Sequence, residues 1–311
     1  MLLWLSALAF AYETDQLTDR DQPLADARAF ANEQMNGILD GVITELNRDH
    51  CGDEDAELRA ALARAIRREG DHAERVPGRG LWHSFGYGHY GKLLETGPIE
   101  RRSFYADRSD IYGDMGLTES PVLKIAGTCS TINLGGHLVG VDKIDHFLVV
   151  GYDMWRWSDD GERDNRAVQW ATLTENTWFG EYTSGGFSYA DLRADWDGYR
   201  FYRDLLNEGS VVERGADGCM VRERSWDWSD WVNAEWDEVL NPNVYNRGVQ
   251  RAVSDRLYAK RDELCAEYGR WGDASYQQEL QARLATTPEW AGRHAPPRTD
   301  PYALAELCAA P

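Results

Sequence analysis

Between residues 141 and 207 the chain carries three segments of helical apolar spacing, separated by two clusters of turn formers. That arrangement restricts the fold more than any other feature. The segments span about 141–157, 164–181 and 189–207. Asp159-Asp160-Gly161 breaks the first from the second, and Thr183-Ser184-Gly185-Gly186 the second from the third. Helical spacing also runs through 24–49, where Leu24, Ala27, Ala31, Met35, Ile38, Leu39, Val42 and Leu46 recur, and through 54–69 and 247–284. Short apolar runs near Ile132–Val141 predict a small hairpin. No internal repeat interrupts this order. The expected fold is mostly α with little β-structure, one domain over 12–287 centred on 141–207. From Pro288 to Pro311 the composition turns to Pro, Ala and Arg and reads as a tail.

Charge sets the partners. With 33 Lys+Arg against 53 Asp+Glu the net charge is −20, so binding to nucleic acid or anionic lipid through a basic footprint is excluded as the main activity. Residues 1–11, MLLWLSALAFA, are uncharged and apolar, and Ala9-Phe10-Ala11 fits the small-x-small rule of signal cleavage before Tyr12. The stretch is short and lacks a basic start, and a buried N-terminal helix is the other reading. No other run approaches the roughly 18 apolar residues of a membrane span. Export places the chain in the periplasm or outside the cell. Cys51, Cys129, Cys219, Cys265 and Cys308 include no CxxC pair, so a zinc knuckle is not expected. One or two disulfides with an odd thiol left over are expected, in a pairing that spacing does not give.

Candidate chemistry gathers at Gly140-Val141-Asp142-Lys143-Ile144-Asp145-His146-Phe147. Asp142 and His146 are four apart on one helix face. A carboxylate beside an imidazole orients it and raises its pKa, which suits acid/base work or metal ligation. Asp142 as a helix cap and His146 as a satisfied buried side chain is the competing reading. Glu175 has largely apolar or uncharged neighbours, so its pKa is expected to rise unless Lys143 or His146 lies opposite. Ser188 and Asp191 have capping-box spacing, and Asp195, Gly198 and Tyr202 continue the face of Asp191. Gly198 in mid-helix predicts a close helix–helix approach. An Asp/His/Glu set can also hold a divalent metal, though no spacing here is diagnostic of one and no cofactor is required.

Asp142-Lys143-x-x-His146-Phe147, then Glu175, then Phe187-Ser188-x-x-Asp191-Leu192 and Gly198, resembles the core pattern of VanZ-like and YfiM-like envelope proteins. The match spans about 60 residues. VanZ-like proteins place this core in membrane helices, whereas here the mean hydropathy is −0.59 and the helices are amphipathic. The resemblance implies envelope residence and a polar cluster at Asp142, Lys143, His146, Glu175, Ser188 and Asp191. It does not imply a reaction. The reading built on it is an exported protein that acts on or binds an envelope glycan or a lipid-linked glycan. In it His146 is base or ligand, Glu175 acid, base or ligand, Lys143 an electrostatic stabiliser and Asp142 the orienter of His146.

Two other patterns point to glycans. Glu69-Gly70 lies 17 residues before Gly86-Tyr87-Gly88-His89, with Gly78 and Ser84 between, and this resembles phage-type lysozymes, in which the Glu is a general acid. Trp226, Trp228, Trp231 and Trp236 alternate with Asp and Ser, and Tyr152 lies close to the polar cluster in sequence. Indole faces can stack on sugar rings while carboxylates accept from hydroxyls. The competing reading uses the same Trp side chains to pin an extended segment to the helical body.

Overall fold

The computed structural model describes residues 13–70, 88–104, 108–120, 123–124, 127–177, 180–181 and 184–309. The expected export signal at 1–11 lies outside these residues, as do Gly78, Ser84 and Gly86-Tyr87 of the lysozyme-like pattern.

Helical spacing becomes helix along most of its length. α1 (Arg28–His50) buries Ala31, Met35, Leu39, Val42, Ile43 and Leu46 along one face. It starts four residues later than the apolar pattern, because residues 24–27 are drawn to the hairpin. There Leu24 O accepts from Asn133 Nδ2 at 2.8 Å, and the Ala27 N–H donates to Asn133 O at 2.8 Å. α2 (Asp55–Glu69) turns Leu58, Leu62 and Ile66 inward, and α3 (His89–Thr96) follows. The predicted hairpin is present as β1 (Thr131–Leu134) and β2 (His137–Gly140), antiparallel, with Ile132 opposite Val139.

The first helix of the central block is interrupted. α4 (Val141–Asp145) runs into a π-helical turn (His146–Val150) and on into α5 (Gly151–Trp157). The Gly151 N–H reaches back five residues to the His146 carbonyl. α6 (Asp164–Glu175) is shorter than its apolar pattern, so Glu175 is its last residue. β3 (Gly186–Phe187) leads into α7 (Tyr189–Asp204), capped as expected by Ser188, whose Oγ accepts from the Asp191 N–H at 3.1 Å. α7 crosses the π turn with backbone against backbone. A Cβ on Gly198 would lie 2.1 Å from Phe147 O, and one on Gly151 2.7 Å from Gly198 Cα. Only glycine fits either position, and the close approach offsets its helix penalty of about 1 kcal/mol.

After this block come the hairpin β4 (Val212–Arg214) and β5 (Met220–Arg222), the Trp segment, and β6 (Val244–Tyr245) paired with β3. The helices α8 (Arg247–Ala259), α9 (Arg261–Trp271), α10 (Ala274–Leu284) and α11 (Leu304–Ala309) close the chain. The fold is mostly α, and its sheets are two-stranded among the described residues. Disulfides join Cys51 to Cys219 and Cys265 to Cys308, while Cys129, outside both, is buried. No helix among the described residues is long and apolar enough to cross a membrane.

Residues 288–309 are not a loose tail. Trp290 and Ala291 are buried, Ala291 O accepts from Thr172 Oγ1 at 2.7 Å, and the Arg298 guanidinium sits 4.3 Å from the Tyr189 ring centre. Proline and alanine lower helical periodicity there without preventing burial.

Candidate functional site

The central block brings most of the predicted polar residues together in the interior. Lys143 is 0% exposed, and its Nζ touches Asp142 (2.7 Å), Asp191 (2.6 Å) and Glu238 (2.6 Å). His146 is held from both sides, Nδ1 at 2.8 Å from Asp195 and Nε2 at 3.3 Å from Asp191. Glu175 is 2% exposed, and its Oε1 accepts from the Ser188 N–H at 2.8 Å. Glu13 joins from the start of the chain through Asn243 (2.5 Å), which also reaches Glu238 (3.3 Å).

Asp142 does neither thing proposed for it. It makes no side-chain cap to α4, and its oxygens are taken by Lys143 Nζ and by Thr14 Oγ1 at 2.8 Å. The residue that orients His146 is Asp195, one helical turn beyond Asp191 on the same face of α7. Asp191, the expected partner of the capping box, gives its backbone N–H to the cap and its carboxylate to the two cations.

Protonation follows from the imbalance of charge. Lys143 and His146 are outnumbered by buried carboxyl groups, among them those of Glu13, Asp142, Asp145, Glu175, Asp191, Asp195 and Glu238. Burial alone would drive the Lys143 ammonium and the imidazole toward neutrality. Asp142, Asp191 and Glu238 outweigh it at Lys143, whose pKa rises well above the usual value. Asp191 and Asp195 outweigh it at His146, which is pushed up to about 10. The doubly protonated imidazolium is thereby favoured, with Nδ1 hydrogen-bonded to Asp195 and Nε2 at ion-pair distance from Asp191. Carboxylates at both ring nitrogens disfavour the neutral imidazole that a base or a metal ligand needs. Asp191 is opposed by burial, yet His146 and Lys143 hold it below the usual carboxylate range. At Glu13, Glu175, Asp195 and Glu238 burial favours the protonated form. Burial, reinforced by Asp191, raises Glu13 to about 7 and Glu175 well above its usual value. Burial raises Asp195 to about 6 and Glu238 well above normal against the pull of their cationic partners.

Asp142, Asp191 and Glu238 bring carboxylate oxygens within 4.8 Å of one another, a spacing a divalent ion can use. The Lys143 ammonium already stands at hydrogen-bond distance from all three. A metal there would have to displace a buried cation, so the donor set does not fit one.

The Trp segment turns inward. Phe147, next to His146, sits within 6 Å of the ring centres of Trp226, Trp228, Trp231 and Trp236. Trp226 is 1% exposed and Trp228 0%. Both are removed from any ligand, because burying a side chain of this size is worth more than leaving it on the surface. Tyr152 is likewise packed between Trp155 and Tyr202. Trp231 differs. It is half-buried and lines an open pocket of about 300 Å³ with Phe201, Asp204, Asn207, Glu208 and Arg224.

Glu69 ends α2, half-buried. The adjoining Gly70 touches Gly88, where a Cβ would come 2.3 Å from the Gly70 backbone. Both ends of the lysozyme-like pattern therefore meet, though its middle lies outside the described residues.

Glu13, Asp195, Glu238 and Asn243 were not singled out as site residues from the sequence. Asp195 carried a signal, its place one turn after Asp191. Glu13, Glu238 and Asn243 carried none, since they arrive from segments 100 or so residues from His146. No family model, curated protein or solved structure matches the chain.

Proposed function

We propose that this chain is an exported protein of the cell envelope that binds a glycan in the pocket beside Trp231, and that its buried ionic cluster is the frame holding that pocket's walls. The observation that carries this reading is the makeup of the pocket. Phe201 and Trp231 line it together with Asp204, Asn207, Glu208 and Arg224, which supply donors and acceptors. An apolar wall with few polar groups is how small-molecule sites recognise a ligand, and a sugar ring offers CH faces and hydroxyls to such a wall. Two disulfides suit an oxidising compartment, and the pattern around Asp142-Lys143 and Ser188 adds the resemblance to envelope proteins.

The cluster is better suited to structure than to turnover. Its cations are fully paired, and none of its central side chains is more than 6% exposed. One observation favours a second reading, glycan hydrolysis. Burial pushes the Glu175 carboxyl well above its usual range, toward the protonated state a general acid needs.

Titration of peptidoglycan fragments into the full chain, followed by calorimetry, tests the first reading. Glu208→Ala and Arg224→Ala are expected to weaken binding about tenfold each, the scale of losing one good polar contact, with melting unchanged. Absence of binding, or binding indifferent to both, removes the pocket from the function. In a parallel incubation with intact peptidoglycan, fragments released by wild type but not by Glu175→Gln would establish the hydrolase instead.

A further inference from the structure

A second acidic group lies away from the central block, where the segment around residues 13–22 lies against α9. Glu263 and Glu267 are four apart on α9, hence one turn apart on one face. Asp19 faces them from the loop, and the three bring carboxylate oxygens within 4.8 Å of one another. Their surroundings do not neutralise them. Among the described residues none of the three has a cationic group within 4 Å. Arg102 and Lys260 act on Asp19 from further away, and they donate to the carbonyls of Gln22 (2.8 Å) and Ser109 (2.7 Å). Arg270 is engaged with Asp21 and Arg20 with Asp237. Asp19 does accept from Gln22 Nε2 at 3.1 Å.

Glu267 is the unexpected member. It is 4% exposed, and its Oε2 is buried without a hydrogen-bond partner. The Arg20 backbone N–H acts on the same carboxyl, and a buried oxygen left unpaired costs about 1–3 kcal/mol, which a cation held among the three carboxylates would offset. The cluster is unlike the one around Lys143, where an ammonium supplied by the chain stands among the acids.

We propose that Asp19, Glu263 and Glu267 form a calcium site. The donors are all carboxylate oxygens, which select hard cations. Calcium–oxygen distances of about 2.3–2.6 Å let one ion touch two oxygens up to about 5 Å apart, so the observed spacing needs no rearrangement. Glu267 forms the closed floor. Glu263 is exposed and Asp19 half-buried, which leaves the outer face to water ligands. The ion ties the N-terminal loop to α9, which Cys265, lying between the two glutamates, already fastens to α11.

Calorimetric titration of CaCl2 into the full, EDTA-treated chain tests this, with NaCl at matched ionic strength as control. One saturable site is expected, with a Kd of the order of 10⁻⁴–10⁻³ M, the range of open extracellular sites. At about 10 mM calcium the folded-to-unfolded ratio then rises roughly 10- to 100-fold, read as an upward shift in melting temperature. Glu263→Gln, at an exposed position, is expected to weaken binding at least tenfold while leaving melting in EDTA unchanged. Glu267→Gln keeps the volume of the buried side chain and removes its carboxylate, so it is expected to lose the calcium response and to melt no lower than wild type in EDTA. Absence of a saturable site, or a site that Glu263→Gln weakens less than tenfold, overturns the proposal.

Discussion

Replacing Lys143 by methionine isolates the energetic role of the buried ionic cluster. Methionine has a similar length and no charge, so the packing volume is nearly kept. Three carboxyl groups, Asp142, Asp191 and Glu238, each lose a partner at 2.6–2.7 Å. Each retains something: Asp142 keeps Thr14, Asp191 keeps His146, and Glu238 keeps Asn243. Removing one partner of a buried ion pair costs about 3–5 kcal/mol, because the remaining charge stays in a poor dielectric. The lost ammonium serves three groups, so the cost lies at the upper end at neutral pH. At roughly 2 °C per kcal/mol for a chain of this size, melting falls by about 8–10 °C. The deficit shrinks in acid, since a proton on Asp191 or Glu238 does part of the work of the ammonium. Adding Glu238→Gln to Lys143→Met is expected to recover part of the loss at neutral pH. Circular dichroism melts of the three proteins at two pH values measure this. A Lys143→Met protein within about 1 kcal/mol of wild type at neutral pH, or a deficit equal at both pH values, would falsify the account of the cluster as a closed, desolvated unit.

Other expectations are narrower. The His146 ring is expected to keep protons on both nitrogens through neutral pH and to titrate near 10, so nitrogen chemical shifts moving near the usual value of 6.5 would contradict its clamp between Asp191 and Asp195. Glu13 and His146 bind protons more tightly in the folded chain, at about 7 against 4.5 and about 10 against 6.5. Stability is therefore expected to fall as pH rises, from 4.5 through about 7 for the first group and from 6.5 through about 10 for the second, and melting that rises across this window would show the sign to be wrong. Gly198→Ala gains about 1 kcal/mol of helix propensity but drives a methyl group against the Phe147 carbonyl, so a net loss of roughly 1–3 kcal/mol is expected in denaturant unfolding, and a stabilised variant would mean that α7 does not touch the π turn.

The fold was legible where local patterns decide it. Helical spacing located α1, α2 and the central block, Ser188 declared its cap, and Gly198 announced a close crossing. Lengths were read less well, because tertiary partners set them: the hairpin claims residues 24–27, and Asn176 ends α6 directly after Glu175. Within the polar cluster, spacing found Asp142, Lys143, His146, Glu175 and Asp191 but paired Asp142 with the wrong neighbour. Helical proximity put His146 beside it, whereas the adjacent ammonium of Lys143 is the stronger partner of a buried carboxylate. The Trp segment shows the same limit. Alternation of Trp with Asp and Ser is compatible with a groove or an anchor, and only the position of Phe147 decides which side chains are buried.

The Lys143 cluster also bears on how the chain can acquire its structure. Its members come from residues 13–14, 142–146, 191–195 and 238–243, so its ion pairs and hydrogen bonds close loops of up to 230 residues. A partly collapsed chain that lacks any one segment would have to strip water from charges that have no partner yet. The cheap route is to keep those segments hydrated until the last has arrived, which makes closure of the centre a late and concerted event. A nascent chain cannot complete its interior before residue 243 is free, whatever helices form earlier.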